Sequence, residues 1–160
     1  MSGRRRGETP PGAAPPPAES EFVDDLAGIG AVVDALDASS EPIAVDVERA
    51  SGIRYSERAF LLQLRVPGEP ALLVDPETPG RTVGPLATVL SQRPLLFHAA
   101  SQDLPSLREL GIRPTALVDT ELAGRLLGYP RVGLATLVEE LLAWRLQVQD
   151  TDSCWIFTSG

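Results

Sequence analysis

Residues 43–48 read Ile43-Ala44-Val45-Asp46-Val47-Glu48, and their strict alternation of side-chain character predicts a β-strand. Side chains two residues apart on a strand share a face, with their bases roughly 7 Å apart. Ile43, Val45 and Val47 should therefore point one way, and Ala44, Asp46 and Glu48 the other. Two carboxylates on one face, flanked by apolar residues, repel each other unless a cation lies between them. Magnesium suits that arrangement, because it takes few carboxylates and keeps positions for water and phosphate oxygens. A solvent-facing acidic strand edge produces the same spacing, so spacing alone leaves both readings open.

Outward from this strand, Phe60 to Val66 and Ala71 to Val74 read as a second and a third strand. The turn Pro67-Gly68-Glu69-Pro70 joins them as an antiparallel hairpin. The period then changes. Val83 to Leu90 is helical, Pro94 to His98 is a buried strand, and Gln102 to Leu110 is a helix stopped by Gly111. A short strand at Ala116 to Val118 precedes a helix at Thr120 to Leu127, which Gly128 and Pro130 end. The last helix runs from Leu134 to about Leu146, with Leu134, Leu137, Val138, Leu141 and Leu142 on one face. Upstream, Phe22, Val23, Leu26, Ile29, Val32, Val33 and Leu36 recur at helical spacing, with Ser20 as candidate N-cap, although Gly28 and Gly30 weaken that helix. Three strands in meander order followed by alternating helices and strands predict a mixed α/β domain.

The 160 residues accommodate a single domain with tails. Residues 1–20 carry five prolines and no apolar side chain larger than alanine beyond Met1, and are expected to be a disordered tail. Arg4, Arg5 and Arg6 open this tail without an apolar stretch behind them, which argues against a secretory signal. Residues 21–146 form the expected domain, and residues 147–160 an aperiodic tail. No stretch of 18 apolar residues runs free of charge or proline, so no membrane partner is expected. Cys154 is the only cysteine, which excludes an internal disulfide and a multi-cysteine zinc site and fits a cytoplasmic location. With 22 acidic and 14 basic residues the net charge is −8, so any contact with a polyanion must be local or metal-assisted.

A second motif, Phe97-His98-Ala99-Ala100-Ser101-Gln102-Asp103-Leu104, runs from a buried strand through small residues into a helix whose first turn holds Asp103. An aspartate there also suits the helix dipole, so a plain helix-start role stays open. His98 stands at the end of an apolar strand, where a structural role competes with that of ligand or base. Asp119-Thr120 repeats the strand-to-helix aspartate, and capping is the preferred reading there.

The order of these features is more informative than any one of them. Asp46-Val47-Glu48 on the first strand, Leu62-Gln63-Leu64 in the hairpin, the His98–Leu104 motif, Val118-Asp119-Thr120 and Leu137-Val138-Glu139-Glu140 closely resemble the ribonuclease D family. These are DEDD-type 3′–5′ exonucleases with a ribonuclease H-like fold, and the resemblance covers about residues 22–146. It implies a mixed sheet, an antiparallel meander plus parallel strands, with flanking helices. It also implies that Asp46, Glu48 and Asp103 match three of the family's four metal-binding acids. In that chemistry two divalent ions, Mg2+ or Mn2+, sit about 4 Å apart, one activating water and the other stabilising the leaving 3′ oxygen. Arg54, Tyr55 and Arg58 follow the first motif where the family's chain faces nucleic acid, and with His98 they are candidate contacts to phosphate or base. Surface solubility accounts equally well for Arg54, Tyr55 and Arg58.

The family's YxxxD motif, source of the fourth acid, has no match here: Tyr55 and Tyr129 are the only tyrosines, and Asp150 and Asp152 lack one at that spacing. The fold is accordingly expected to be C-terminally incomplete after Trp144, with a weakened second metal site and impaired activity. The implied function is metal-dependent hydrolysis of RNA from a single-stranded 3′ end, with no small-molecule cofactor. The alternative is a truncated, non-catalytic nucleic-acid-binding domain. No oligomeric state is implied.

Overall fold

A computed structural model describes residues 20–49, 59–76 and 83–143. Strands β1 (Ser20–Val23), β2 (Ile43–Arg49), β3 (Ala59–Arg65), β4 (Ala71–Val74), β5 (Leu95–Phe97) and β6 (Leu117–Asp119) form one sheet in the order β1-β4-β3-β2-β5-β6. The expected meander is its centre: β2 pairs antiparallel with β3, and β3 antiparallel with β4. Parallel strands extend it on both sides, β1 beside β4, and β5 and then β6 beside β2. The helices are α1 (Leu26–Ala38), α2 (Gly84–Gln92), α3 (Leu104–Glu109), α4 (Thr120–Leu126) and α5 (Leu134–Leu142).

The first helix starts later than its periodicity predicts. Phe22 and Val23 belong to β1, where they align with Leu73 and Val74 of β4. Both stand three or four residues before Leu26, so a short strand ahead of a helix mimics the helical period. Asp25, not Ser20, is the N-cap, its carboxylate accepting the Gly28 amide.

The chain divides into two compact units. Residues 19–120 hold the sheet and α1 to α3. Here Ile29, Val32 and Leu36 of α1 and Leu86, Ala87, Val89 and Leu90 of α2 are buried in one core with the inward side chains of the strands. The Arg93 guanidinium fastens the loop behind α1 by donating to the carbonyls of Leu36 and Glu41 at 2.7 and 2.6 Å. From Glu121 onward the second unit carries the rest of α4 and α5, where Leu137 is buried and Gly124 lies close against Val132 and Leu137. Among the described residues no helix is long and apolar enough to cross a membrane.

Candidate active site

The pleat of β2 separates its side chains as the sequence predicts. Ile43, Val45 and Val47 are buried in the core, and Asp46 and Glu48 stand half-buried on the opposite face. Asp46 lies directly across from Gln63 of β3 in the antiparallel register. The Gln63 side-chain amide donates to Asp46 Oδ2 at 3.1 Å and to Glu48 Oε1 at 3.2 Å. Ionised carboxylates only accept, so the nitrogen of the amide is the atom that can bridge them. Burial pushes the Asp46 carboxyl above its ordinary range, with the Val47 amide and the Arg49 charge working the other way.

Asp103 reaches the same region from β5. After Phe97 the chain passes through His98 and then Ala99, whose φ of 63° is left-handed, into a 3₁₀ turn at Ala100–Gln102. The Asp103 amide closes that turn by donating to the Ala100 carbonyl at 3.1 Å. Asp103 stands at the N-cap position of α3, yet its side chain makes no capping bond. That removes the ordinary helix-start explanation for an aspartate only 6% exposed. Burial pushes its carboxyl up to about 7, reinforced by the charge of Asp46 and, more weakly, of Glu48 and Asp119, and opposed by Arg49. The three acids singled out in the sequence therefore act within one electrostatic neighbourhood.

Asp119 does cap, but its target is the turn that delivers Asp103. Its two oxygens accept the amides of Ala99 at 3.1 Å and Ala100 at 3.0 Å. Beside it, the Thr120 hydroxyl donates to the Phe97 carbonyl at 3.0 Å. Its one proton is thereby used, so at 2.9 Å from His98 Nδ1 it must accept, which makes the histidine the Nδ1–H form. This ties His98 into the strand-end network that aligns β5 with β6.

Arg54, Tyr55, Arg58, Asp150, Asp152 and the segment 147–160 lie outside the described residues. Three contributions escape pattern reading: Gln63 as a shared donor, Arg49 as the cation felt by both Asp46 and Asp103, and Asp119 as the clamp on the 98–100 turn. The opposition of Asp46 and Gln63 follows from the hairpin register, and that was the available signal for Gln63. The donor set of Asp46, Glu48 and Asp103 is all carboxylate oxygen, the chemistry that hard divalent cations take. In this conformation, among the described residues, no three His, Cys, Asp or Glu side chains converge closely enough to grip an ion together.

Residues 20–157 match the family described as 3′–5′ exonuclease. The chain is 24% identical over 123 residues to ribonuclease D of Bartonella henselae, covering 74% of this chain and 30% of that protein. Its fold is similar to the crystal structure of Escherichia coli RNase D, at 27% identity and a TM-score of 0.68, covering 81% of this chain and 35% of that one. It is similar also to the catalytic core of RRP6 from Trypanosoma brucei, at 26% identity and a TM-score of 0.72, covering 81% and 36%. The chain thus spans about a third of the length of the relatives it matches.

Proposed function

From the premise that this chain belongs to the 3′–5′ exonuclease family, we propose that it carries a ribonuclease D-like domain that hydrolyses phosphodiester bonds of single-stranded RNA from the 3′ end. The family acts on nucleic acid with divalent metals. The observation that carries the reading for this chain is that Asp46 and Glu48 on β2 share the Gln63 donor, while the buried Asp103, which makes no capping bond, feels the charge of both.

Asp46, Glu48 and Asp103 are the residues that would hold Mg2+ or Mn2+. Such an ion, when bound, lowers the pKa of an attacking water and offsets charge building on the phosphate. The protein's part is to keep these acids in place and partly dry. The sheet fixes Asp46 and Glu48 on one face, and the 3₁₀ turn fixes Asp103. Raised proton affinity at Asp46 and Asp103 keeps both acids prone to take a proton until a cation competes for them. Arg54, Tyr55, Arg58 and His98 are proposed contacts to the nucleic acid, the first three as phosphate or base contacts.

The test is release of nucleotides from 3′-labelled single-stranded RNA with Mg2+ or Mn2+, beside Asp46→Ala. Metal-dependent release by the wild type and not by the variant is expected. Equal signal from both would rule out hydrolysis by this site. Retention of labelled RNA without release would instead favour a non-catalytic nucleic-acid-binding domain.

A further inference from the structure

The Gln63 amide occupies an unusual place: one neutral donor shared by two carboxylates, on a strand paired on both sides. Directly opposed side chains in an antiparallel pair are about 5 Å apart at Cβ, and diagonal ones about 7–8 Å. Gln63 faces Asp46 directly and Glu48 on the diagonal, so its side chain is long enough to touch both. On its other flank the register partner is Leu73, which offers the amide no side-chain acceptor. The amide's two N–H bonds match the two carboxylates one to one. A lysine or arginine in the same place would cancel one of the pair's two negative charges. An amide orients the carboxylates and leaves their negative charge intact for a cation.

We propose that Gln63 is a positioning residue that holds the Asp46 and Glu48 carboxylates in one orientation, and so sets the affinity of this site for a divalent ion. The inference rests on the reading of Asp46, Glu48 and Asp103 as metal ligands. Hydrogen-bond partners of metal-ligating side chains typically contribute about 10–100-fold to metal affinity. Gln63 is held on β3 by ladders to β2 and β4, so it is anchored more firmly than a loop residue would be.

The experiment is calorimetric titration of the full chain with MnCl2 alone, in wild type, Asp46→Ala, Gln63→Leu, Gln63→Asn and Gln63→Lys, with the thermal midpoint of each recorded. Gln63→Leu keeps size and removes the donor, and should bind Mn2+ about 10–100-fold more weakly with little change in midpoint. Gln63→Asn keeps the amide but is one methylene too short to span both acids, and should fall between wild type and Gln63→Leu. Gln63→Lys restores donors but adds a positive charge, and should bind Mn2+ more weakly than Gln63→Leu. Should Gln63→Leu fail to fold, Gln63→Asn alone decides, since it must lose affinity. Wild-type affinity in Gln63→Leu or Gln63→Asn, with Asp46→Ala inactive in binding, overturns the role of Gln63 and leaves the metal site standing. Mn2+ uptake that is absent from the wild type, or equal in Asp46→Ala, overturns the metal site itself.

Discussion

Asp103 is the residue where burial and charge oppose ionisation most openly. Its carboxyl is held near pH 7 against an ordinary value of 3.8, first by loss of water and then by Asp46. The unfolded chain gives up this proton around pH 4, and the folded chain keeps it until about 7. Between those points the native state binds more protons, so stability falls as pH rises across that window and is level above it. The total is on the order of a few kcal/mol, and Asp46 adds to it in the same direction. Asp103→Asn removes the titration, so thermal unfolding in EDTA should give a flatter stability profile from pH 4 to 7 and a higher midpoint than wild type at pH 8. An unchanged slope would contradict the burial argument. Adding Mn2+ at pH 8 should raise the wild-type midpoint and leave that of Asp103→Asn nearly still. At this scale motif order singles out Asp46, Glu48 and Asp103 as the proposed ligands, whereas the proton affinity of Asp103 was not legible. It depends on four neighbours that are distant in sequence, Asp46, Arg49, Glu48 and Asp119.

Two elements owe their placement to contacts that periodicity does not carry. At the start of α1, a Cβ added to Gly28 would lie 2.8 Å from Val23 Cγ1 and 3.1 Å from Asp25 Oδ1, so helix and strand approach too closely for a side chain. Gly30 meets nothing within 4 Å. Gly28→Ala should therefore cost about 1–3 kcal/mol, whereas Gly30→Ala should stabilise by about 0.5–1 kcal/mol through helix propensity alone; urea unfolding of both variants checks the sign of each. These two glycines look alike as helix breakers in the sequence, and one is instead a packing requirement. The turn before α3 is a comparable case. Ala99 is left-handed, a conformation that costs a non-glycine residue roughly 1–2 kcal/mol. The Asp119 carboxylate, bonded to the Ala99 and Ala100 amides, holds it there. Asp119→Ala leaves those amides without that acceptor and should destabilise by about 2–4 kcal/mol, with a matching loss of the Mn2+ response as Asp103 drifts. Strand β5, helix α3 and strand β6 were readable from apolar runs and glycine stops. The bond that unites them spans about twenty residues and leaves no local pattern.

For the whole molecule the governing quantity is a net charge of −8 facing the proposed polyanionic substrate. The meander and the alternating half were legible because the strands stand out as alternating or apolar runs and most of the connections carry a proline or glycine. The parallel strand β1 was hidden because four residues ahead of a helix fit the helix's own spacing. Charge, by contrast, is read from composition without error, and its consequence is specific. Without divalent ions the half-buried Asp46 and Glu48 repel a phosphate, and no overall positive field compensates. Affinity for a short single-stranded RNA should then rise with Mn2+ and collapse in EDTA. The double variant Asp46→Asn with Glu48→Gln removes two negative charges from the proposed landing point of the scissile phosphate. Each charge at a few ångströms is worth about 1 kcal/mol in a water-like medium, and more where water is excluded. In EDTA the double variant should therefore bind RNA about thirtyfold more tightly than wild type, yet gain nothing from Mn2+ and release no nucleotide. Fluorescence anisotropy with a labelled oligonucleotide, with and without Mn2+, separates the two proteins. A double variant that binds no better than wild type in EDTA would mean that the RNA approaches some other face, and the acids on β2 would lose their claim to the phosphate.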